Sequence, residues 1–259
     1  MSNSSQASQR IAALLDDNSF VEIGAKVTAR ATDFNMKPTE TPSDGVVTGY
    51  GVIDGSLVYV YSQDASVMNG TVGEMHAKKI SRLYDMAVKM GAPVVALVDC
   101  AGLRLEEAAD ALNAFGEIYL KQTLASGVIP QITAIFGSCG GGLALMPTLT
   151  DFTFMEESKA KLFVNAPNTL DGNHVSKCDS ASAKFQSEEA GIVDVVADEA
   201  TIYAKIRELV SMLPGNNEDD ASYEECTDDL NRVCGDLANC VGDTAIALST
   251  ICLLYTSEL

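Results

Sequence analysis

Two clusters of small residues are places where backbone groups could do chemistry. The longer, Gly137-Ser-Cys-Gly-Gly-Gly142, lies between an apolar β-like run, Gln131–Phe136, and a helical run, Leu143–Met146. Consecutive glycines let the chain turn sharply and leave peptide N–H groups uncovered at a helix start. Such donors suit an anion, or an oxygen that becomes one during a reaction. The second cluster, Asp99-Cys-Ala-Gly-Leu-Arg104, follows the apolar run Val94–Val98. Two such turns in one domain point to oxyanion chemistry built from the backbone rather than to side-chain acid–base work.

Side chains near these turns offer rival readings. Gly137-Ser-Cys-Gly-Gly141 has the shape of a nucleophile elbow, with Cys139 as nucleophile, His174 as base and Asp171 or Asp151 as orienter. Too few strand–helix units follow for the usual hydrolase order, so a small residue packed under the turn is the preferred reading of Cys139. His76, Lys78 and Lys79 lie early in a helical run, Glu74–Met90. They form either a solvated face or a positive spot for ligand phosphates. Arg104 is expected to pin its loop to an acidic partner. Gly49-x-Gly51 is no dinucleotide fingerprint, because a second strand rather than a helix follows it.

Composition narrows the classes. With 17 basic and 36 acidic residues among 259, the formal charge is −19, which repels nucleic acid and anionic membranes. Seven cysteines without a Cys-x-x-Cys pair argue against a disulfide framework or a thiolate zinc site. Only two histidines, His76 and His174, make a multi-histidine metal site unexpected. No long apolar run suggests a membrane span. The start, Met1-Ser-Asn-Ser-Ser-Gln, reads as no secretory signal, so the cytoplasm is the expected compartment.

The elements that must position the turns follow from periodicity. Gln9–Leu15 predicts a short helix and Phe20–Ile23 a strand. Val46–Ile53 and Leu57–Ser62 flank Asp54-Gly55-Ser56 and predict a hairpin. Helices are expected over Glu74–Met90 and Glu106–Ser126, each followed by a strand, Val94–Val98 and Gln131–Phe136. Strands are expected at Asp151–Met155, Lys161–Val164 and Ile192–Val196, then a helix over Thr201–Leu213. Pro214–Asp220 reads as a linker, with helical segments over about Cys226–Val241 and from Thr244. The order implies an α/β fold whose ligand turns lie at strand ends.

Longer segments carry a resemblance from about Ile11 to Leu213. They are Asp44-Gly-Val-Val-Thr-Gly-Tyr-Gly51, Tyr61-Ser-Gln-Asp64, Gly73-Glu-Met-His-Ala-Lys-Lys-Ile80, Ala125-Ser-Gly-Val-Ile-Pro-Gln-Ile132, and the glycine cluster leading into Pro147-Thr-Leu-Thr-Asp-Phe152. Together they resemble the carboxyltransferase family of biotin-dependent acyl-CoA carboxylases and decarboxylases. The resemblance implies the crotonase-like (ClpP/crotonase) spiral of ββα units. It also implies that residues 1–213 are the N-terminal, acyl-CoA-binding domain and that 214–259 are a linker and the start of a second domain. The ending, Cys252–Leu259, looks foreign to that second domain, so a truncated copy is favoured over a natural split subunit.

In such a family the carboxyl group moves between carboxybiotin and the α-carbon of a short acyl-CoA, through an enolate. The match implies that Gly141 and Gly142 donate N–H groups to the enolate oxygen, with Gly102 contributing from the facing turn. The CoA phosphates are expected at Lys78, Lys79 and His76. Expected partners are acyl-CoA, a biotin carboxyl carrier protein bearing the biotin, a C-terminal carboxyltransferase domain or subunit, and further copies of the chain. Two departures are visible. Asp99-Cys-Ala-Gly-Leu-Arg104 stands where the family usually has Asp-Ser-Gly-Gly-Ala-Arg, and Gly140 replaces the usual Ala. The alternatives are a stand-alone crotonase-type hydratase or isomerase, with Glu106 or Glu107 as its acid, and a non-catalytic acyl-CoA-binding subunit.

Overall fold

In the computed structural model the description covers residues 5–30, 40–219, 231, 233–235, 237 and 242–251. Helix α1 (Gln6–Leu14) begins at Ser5, whose hydroxyl accepts the Ser8 N–H at 3.2 Å. Strand β1 (Val21–Ile23) pairs antiparallel with β2 (Val46–Ile53). The chain then reverses at Asp54-Gly55, both at positive φ, into β3 (Ser56–Gln63). Two successive positive φ values match the twist of the flanking strands, which is why Asp-Gly marks the hairpin.

Helix α2 (Glu74–Met90) stops at Gly91, whose left-handed conformation caps it. Strand β4 (Val94–Cys100), helix α3 (Ala108–Ala125) and strand β5 (Gln131–Gly140) follow, with a 3-10 turn, Leu105–Glu107, before α3. Then come β6 (Phe152–Glu156), β7 (Lys161–Phe163), α4 (Ala183–Glu188), β8 (Val195–Ala197) and α5 (Glu199–Met212). One eight-stranded sheet results, in the order β1-β2-β3-β4-β5-β6-β8, with β7 on the far end of β5. From β3 onward every pairing is parallel. Buried residues of α2 and α3 cover one face and those of α1 and α5 the other, which explains why β4 and β5 read as continuous apolar runs.

Three elements differ from the periodicity reading. Strand β5 runs past Phe136 to Gly140, because Ser138–Gly140 pair with β7. Strand β8 is confined to Val195–Ala197; Val193 instead packs in the core on the α2 side. The short helix α4 was not anticipated; Ser182 caps it through the Phe185 N–H. The chain separates into two compact units, residues 1–221 and 222–259. In the second, helix α6 (Thr244–Ile251) forms where expected, while most of the segment about Cys226–Val241 lies outside the described residues.

Gly137 shows how tightly the sheet is built beneath the turns. A Cβ there would lie 2.0 Å from Asp99 Oδ1. That carboxylate accepts the Ser138 N–H at 3.3 Å through Oδ1, and through Oδ2 takes two donors from Arg10 at 3.2 Å. Gly137→Ala is expected to lower unfolding free energy by about 1–3 kcal/mol, as overpacking does, measured by urea denaturation.

Candidate active site

The two small-residue turns meet because their strands are neighbours in register. Cys100 of β4 pairs with Cys139 of β5, after an irregularity between Val98 and Cys100. Beyond that pair the chains turn face to face. A Cβ on Gly102, where φ is +120, would lie 2.9 Å from the Gly140 carbonyl oxygen. Only glycine permits that approach. Gly141, at φ +63, faces open space, since a Cβ there would meet nothing within 4 Å. Gly141 and Gly142 open a 3-10 turn, Gly141–Leu145, so their N–H groups have no acceptor within that helix.

Both backbone groups of Gly102 have partners. Its N–H points at Cys100 Sγ, 3.3 Å away, and its carbonyl accepts the Val72 N–H at 2.9 Å. Arg104 N–H returns to the Val72 carbonyl at 3.0 Å, making a parallel bridge between Val72 and Leu103. Alternation along such a bridge turns the Leu103 N–H away from Val72. Sequence reasoning missed this group; its signal was the strand-like run out of β4, which a glycine-centred search passes over.

The turn is fixed by charge. Arg104 is 1% exposed. Its Nη1 donates to Asp44 Oδ1 at 2.6 Å and Glu107 Oε1 at 2.8 Å, and its Nη2 to the Thr71 carbonyl at 2.8 Å. Each carboxylate also caps α2: Asp44 Oδ2 accepts the His76 N–H at 2.7 Å, and Glu107 Oε2 the Glu74 N–H at 2.6 Å. Burial raises the Asp44 carboxyl even with Arg104 lowering it. Asp44 was not read as Arg104's partner from sequence, because 60 residues separate the two; Glu107, three residues on, was read as a candidate acid instead. Glu107, a candidate acid for hydratase chemistry, is engaged here; Glu106 is exposed on the 3-10 turn.

The basic spot expected of His76, Lys78 and Lys79 is not assembled, and burial is the reason. His76 is 0% exposed. Its Nδ1 lies 2.9 Å from the Asp44 carbonyl and its Nε2 3.2 Å from Gln63 Nε2. Nδ1 therefore donates, and Nε2 accepts from the amide. Burial lowers the imidazole pKa from 6.5 to about 3, so it is neutral at pH 7. Lys79 is 7% exposed; its ammonium donates to the carbonyls of Ser43 and Val46 and to the Ser43 hydroxyl. Burial lowers its pKa to about 8. Lys78 is exposed but pairs with Glu74 at 2.6 Å. The adjoining cavity of about 130 Å³ is lined by Lys78 together with Glu74, Asp110 and Glu117, a surplus of carboxylate that does not suit phosphate.

Cys139 is sealed. Its thiol is fully buried, lies 3.6 Å from the Leu143 carbonyl, and has its pKa pushed well up by burial. A thiol held protonated is no nucleophile. Gly140 has a local reason as well. A Cβ there would come within 2.7 Å of the Phe163 ring and 3.0 Å of the Ala101 carbonyl. Among the described residues, no group of three or more His, Cys, Asp or Glu could hold a metal ion, and no helix is long and apolar enough to cross a membrane.

The parallel sheet with two glycine turns meeting at adjacent strand ends defines a crotonase-like α/β domain, the fold shared by the solved carboxyltransferases it resembles. The chain belongs to the carboxyl transferase domain family, whose model matches residues 2–247. It is 44% identical over 229 residues to the methylmalonyl-CoA decarboxylase subunit alpha of Propionigenium modestum, covering 87% of this chain and 44% of that protein. It is 39% identical over 231 residues to the propionyl-CoA carboxylase beta chain of Roseobacter denitrificans, covering 88% and 45%. Among solved structures, transcarboxylase 12S, a hexamer with methylmalonyl-coenzyme A and methylmalonic acid bound, superposes with a TM-score of 0.82 at 34% identity. That match covers 88% of this chain and 45% of the other. The chain thus spans about half the length of the curated relatives it matches.

Two outcomes follow from the buried charges. Arg104→Met leaves Asp44 and Glu107 without their cation and is expected to cost about 3–5 kcal/mol of stability, read by urea denaturation. His76 has a folded pKa below its unfolded value, so the unfolded chain takes up the proton first as pH falls. Its contribution is complete above about pH 6.5 and is lost as pH falls from there toward 3. The raised Asp44 carboxyl acts with the opposite sign. Thermal melts from pH 8 to 4 should therefore give His76→Gln a flatter profile than the parent.

Proposed function

We propose that this chain is the acyl-CoA-binding half of a biotin-dependent carboxyltransferase acting on a short acyl-CoA. The observation that carries the reading is the meeting of Gly102 with Gly140–Gly141, which leaves open space before backbone donors at two strand ends. The thioester oxygen is placed there. The N–H groups of Gly141 and Gly142 hold it from one turn. Leu103 N–H replaces Gly102 N–H on the other, and Gly102 serves by allowing the turns to approach. Donors fixed by the fold stabilise negative charge on that oxygen as the α-carbon loses a proton or a carboxylate. Biotin, on a carrier partner, would supply or receive the carboxyl group.

The same reading assigns the biotin side to a C-terminal domain or subunit, with residues 214–259 as linker and lead-in, and further copies of the chain as partners in a cytoplasmic assembly. The length ratio to the relatives supports this division. Engagement of Glu107 by Arg104 and α2 weighs against Glu107 as the acid of a hydratase or isomerase.

The test uses the chain with its complementary half supplied. Gly141→Val places a β-branched residue at φ +63, at a cost of about 1–3 kcal/mol in stability, and twists the donors. Turnover should fall by about 10²-fold or more, the usual effect of losing an oxyanion donor. Cys139→Ala should stay within a few-fold of the parent. An inactive Cys139→Ala beside an active Gly141→Val overturns the assignment.

A further inference from the structure

Tyr119 of α3 reaches the glycine turn from the neighbouring layer. Its hydroxyl donates to the Gly142 carbonyl at 2.5 Å. A Cβ on Gly142 would lie 3.0 Å from that same hydroxyl oxygen, so a larger residue would crowd the bond. The ring leans on buried Phe115, with centroids 5.8 Å apart, so the core rather than the turn sets its direction. Burial pushes the phenol pKa further above its ordinary value, and the hydroxyl is protonated at neutral pH as any tyrosine's is.

The turn needs such a hold. Three consecutive glycines have wide backbone freedom, and rotation of a single peptide plane turns an N–H away from the site; the Tyr119 bond fixes the Gly142–Leu143 plane, which borders the plane carrying the Gly142 N–H. One end is anchored, since Gly140 pairs with Phe163 as the last residue of β5. Gly141 is already left-handed and touches nothing on its open side. We propose that Tyr119 is a positioning residue for the oxyanion donors, anchoring the other end of the turn through the Gly142 carbonyl. The inference rests on the oxyanion reading given above.

Binding measurements on the full chain separate the two. The probes are propionyl-CoA and S-propyl-CoA, a thioether with no carbonyl oxygen. The parent should bind the thioester more tightly. Tyr119→Phe should lose about fivefold of that preference, the worth of one hydrogen bond, while its Tm and thioether affinity match the parent. The C=O stretch of bound propionyl-CoA should move back toward its free value. A full preference retained by Tyr119→Phe overturns the positioning role and leaves the oxyanion reading standing. Equal loss of affinity for both probes with a lowered Tm marks a purely structural residue and also overturns it. Absence of any preference in the parent overturns the oxyanion reading itself.

Discussion

The site depends on one buried cation. Arg104 joins Asp44, just before β2, to Glu107, just before α3, and both carboxylates take N–H groups from the first turn of α2. Taken singly, each buried charge would be costly; together, and with the positive end of the helix dipole, they compensate one another. Apolar contacts would hold the same elements together with less directional control. Here the guanidinium fork, two carboxylates and two backbone N–H groups each allow a narrow range of positions. The Asp99–Arg104 turn is therefore located relative to α2, to β2 and to α3 at once. Lys79 extends the arrangement by binding the carbonyls of Ser43 and Val46, on either side of Asp44. Of the three residues that a linear reading assigns to ligand phosphates, His76 and Lys79 are thus part of the frame.

The second constraint is register. Cys100 and Cys139 are paired residues, and each starts a turn two or three residues later. That pairing brings the two strand ends to one level, so the turns emerge side by side. Gly137 lets the Asp99 carboxylate lie against β5, and Arg10 closes over it from α1, stacked 5.0 Å above the Phe136 ring. The α1 face of the sheet thus ties β4 to β5 just below the turns.

Much of this was legible in the sequence because it was local. The Asp-Gly hairpin, the α2 span from Glu74 to Met90, and the strand-to-glycine transitions are each set by neighbours within a few residues. What escaped was whatever depends on contacts distant in the chain. β5 extends to Gly140 only because β7 lies beside it, more than 20 residues later. His76 and Lys79 look like an exposed basic face because helical periodicity gives no sign that Ser43–Val46 covers them. Arg104 could be read as a loop anchor, but its acidic partners come from opposite directions along the chain. The same limit applies to donors. A glycine attracts notice, yet the Gly102 N–H is engaged by a thiol, and the N–H that remains belongs to Leu103.

The departures from the usual family residues are coupled to their own surroundings. Cys100 stands where the family usually has Ser, and its sulfur takes the Gly102 N–H while burial drives its pKa to about 12, so it acts as a neutral acceptor. Gly140 stands where Ala is usual, and the Phe163 ring and Ala101 carbonyl occupy the volume an Ala methyl would need. Ala101 is itself a departure, and its carbonyl is one of the two groups that exclude that methyl. That carbonyl is a backbone group, present whatever side chain residue 101 carries, so the fit at Gly140 is to the backbone of the facing turn and to the Phe163 ring. What fixes the two turns relative to each other is the charge cluster at Arg104 and the register at Cys100 and Cys139.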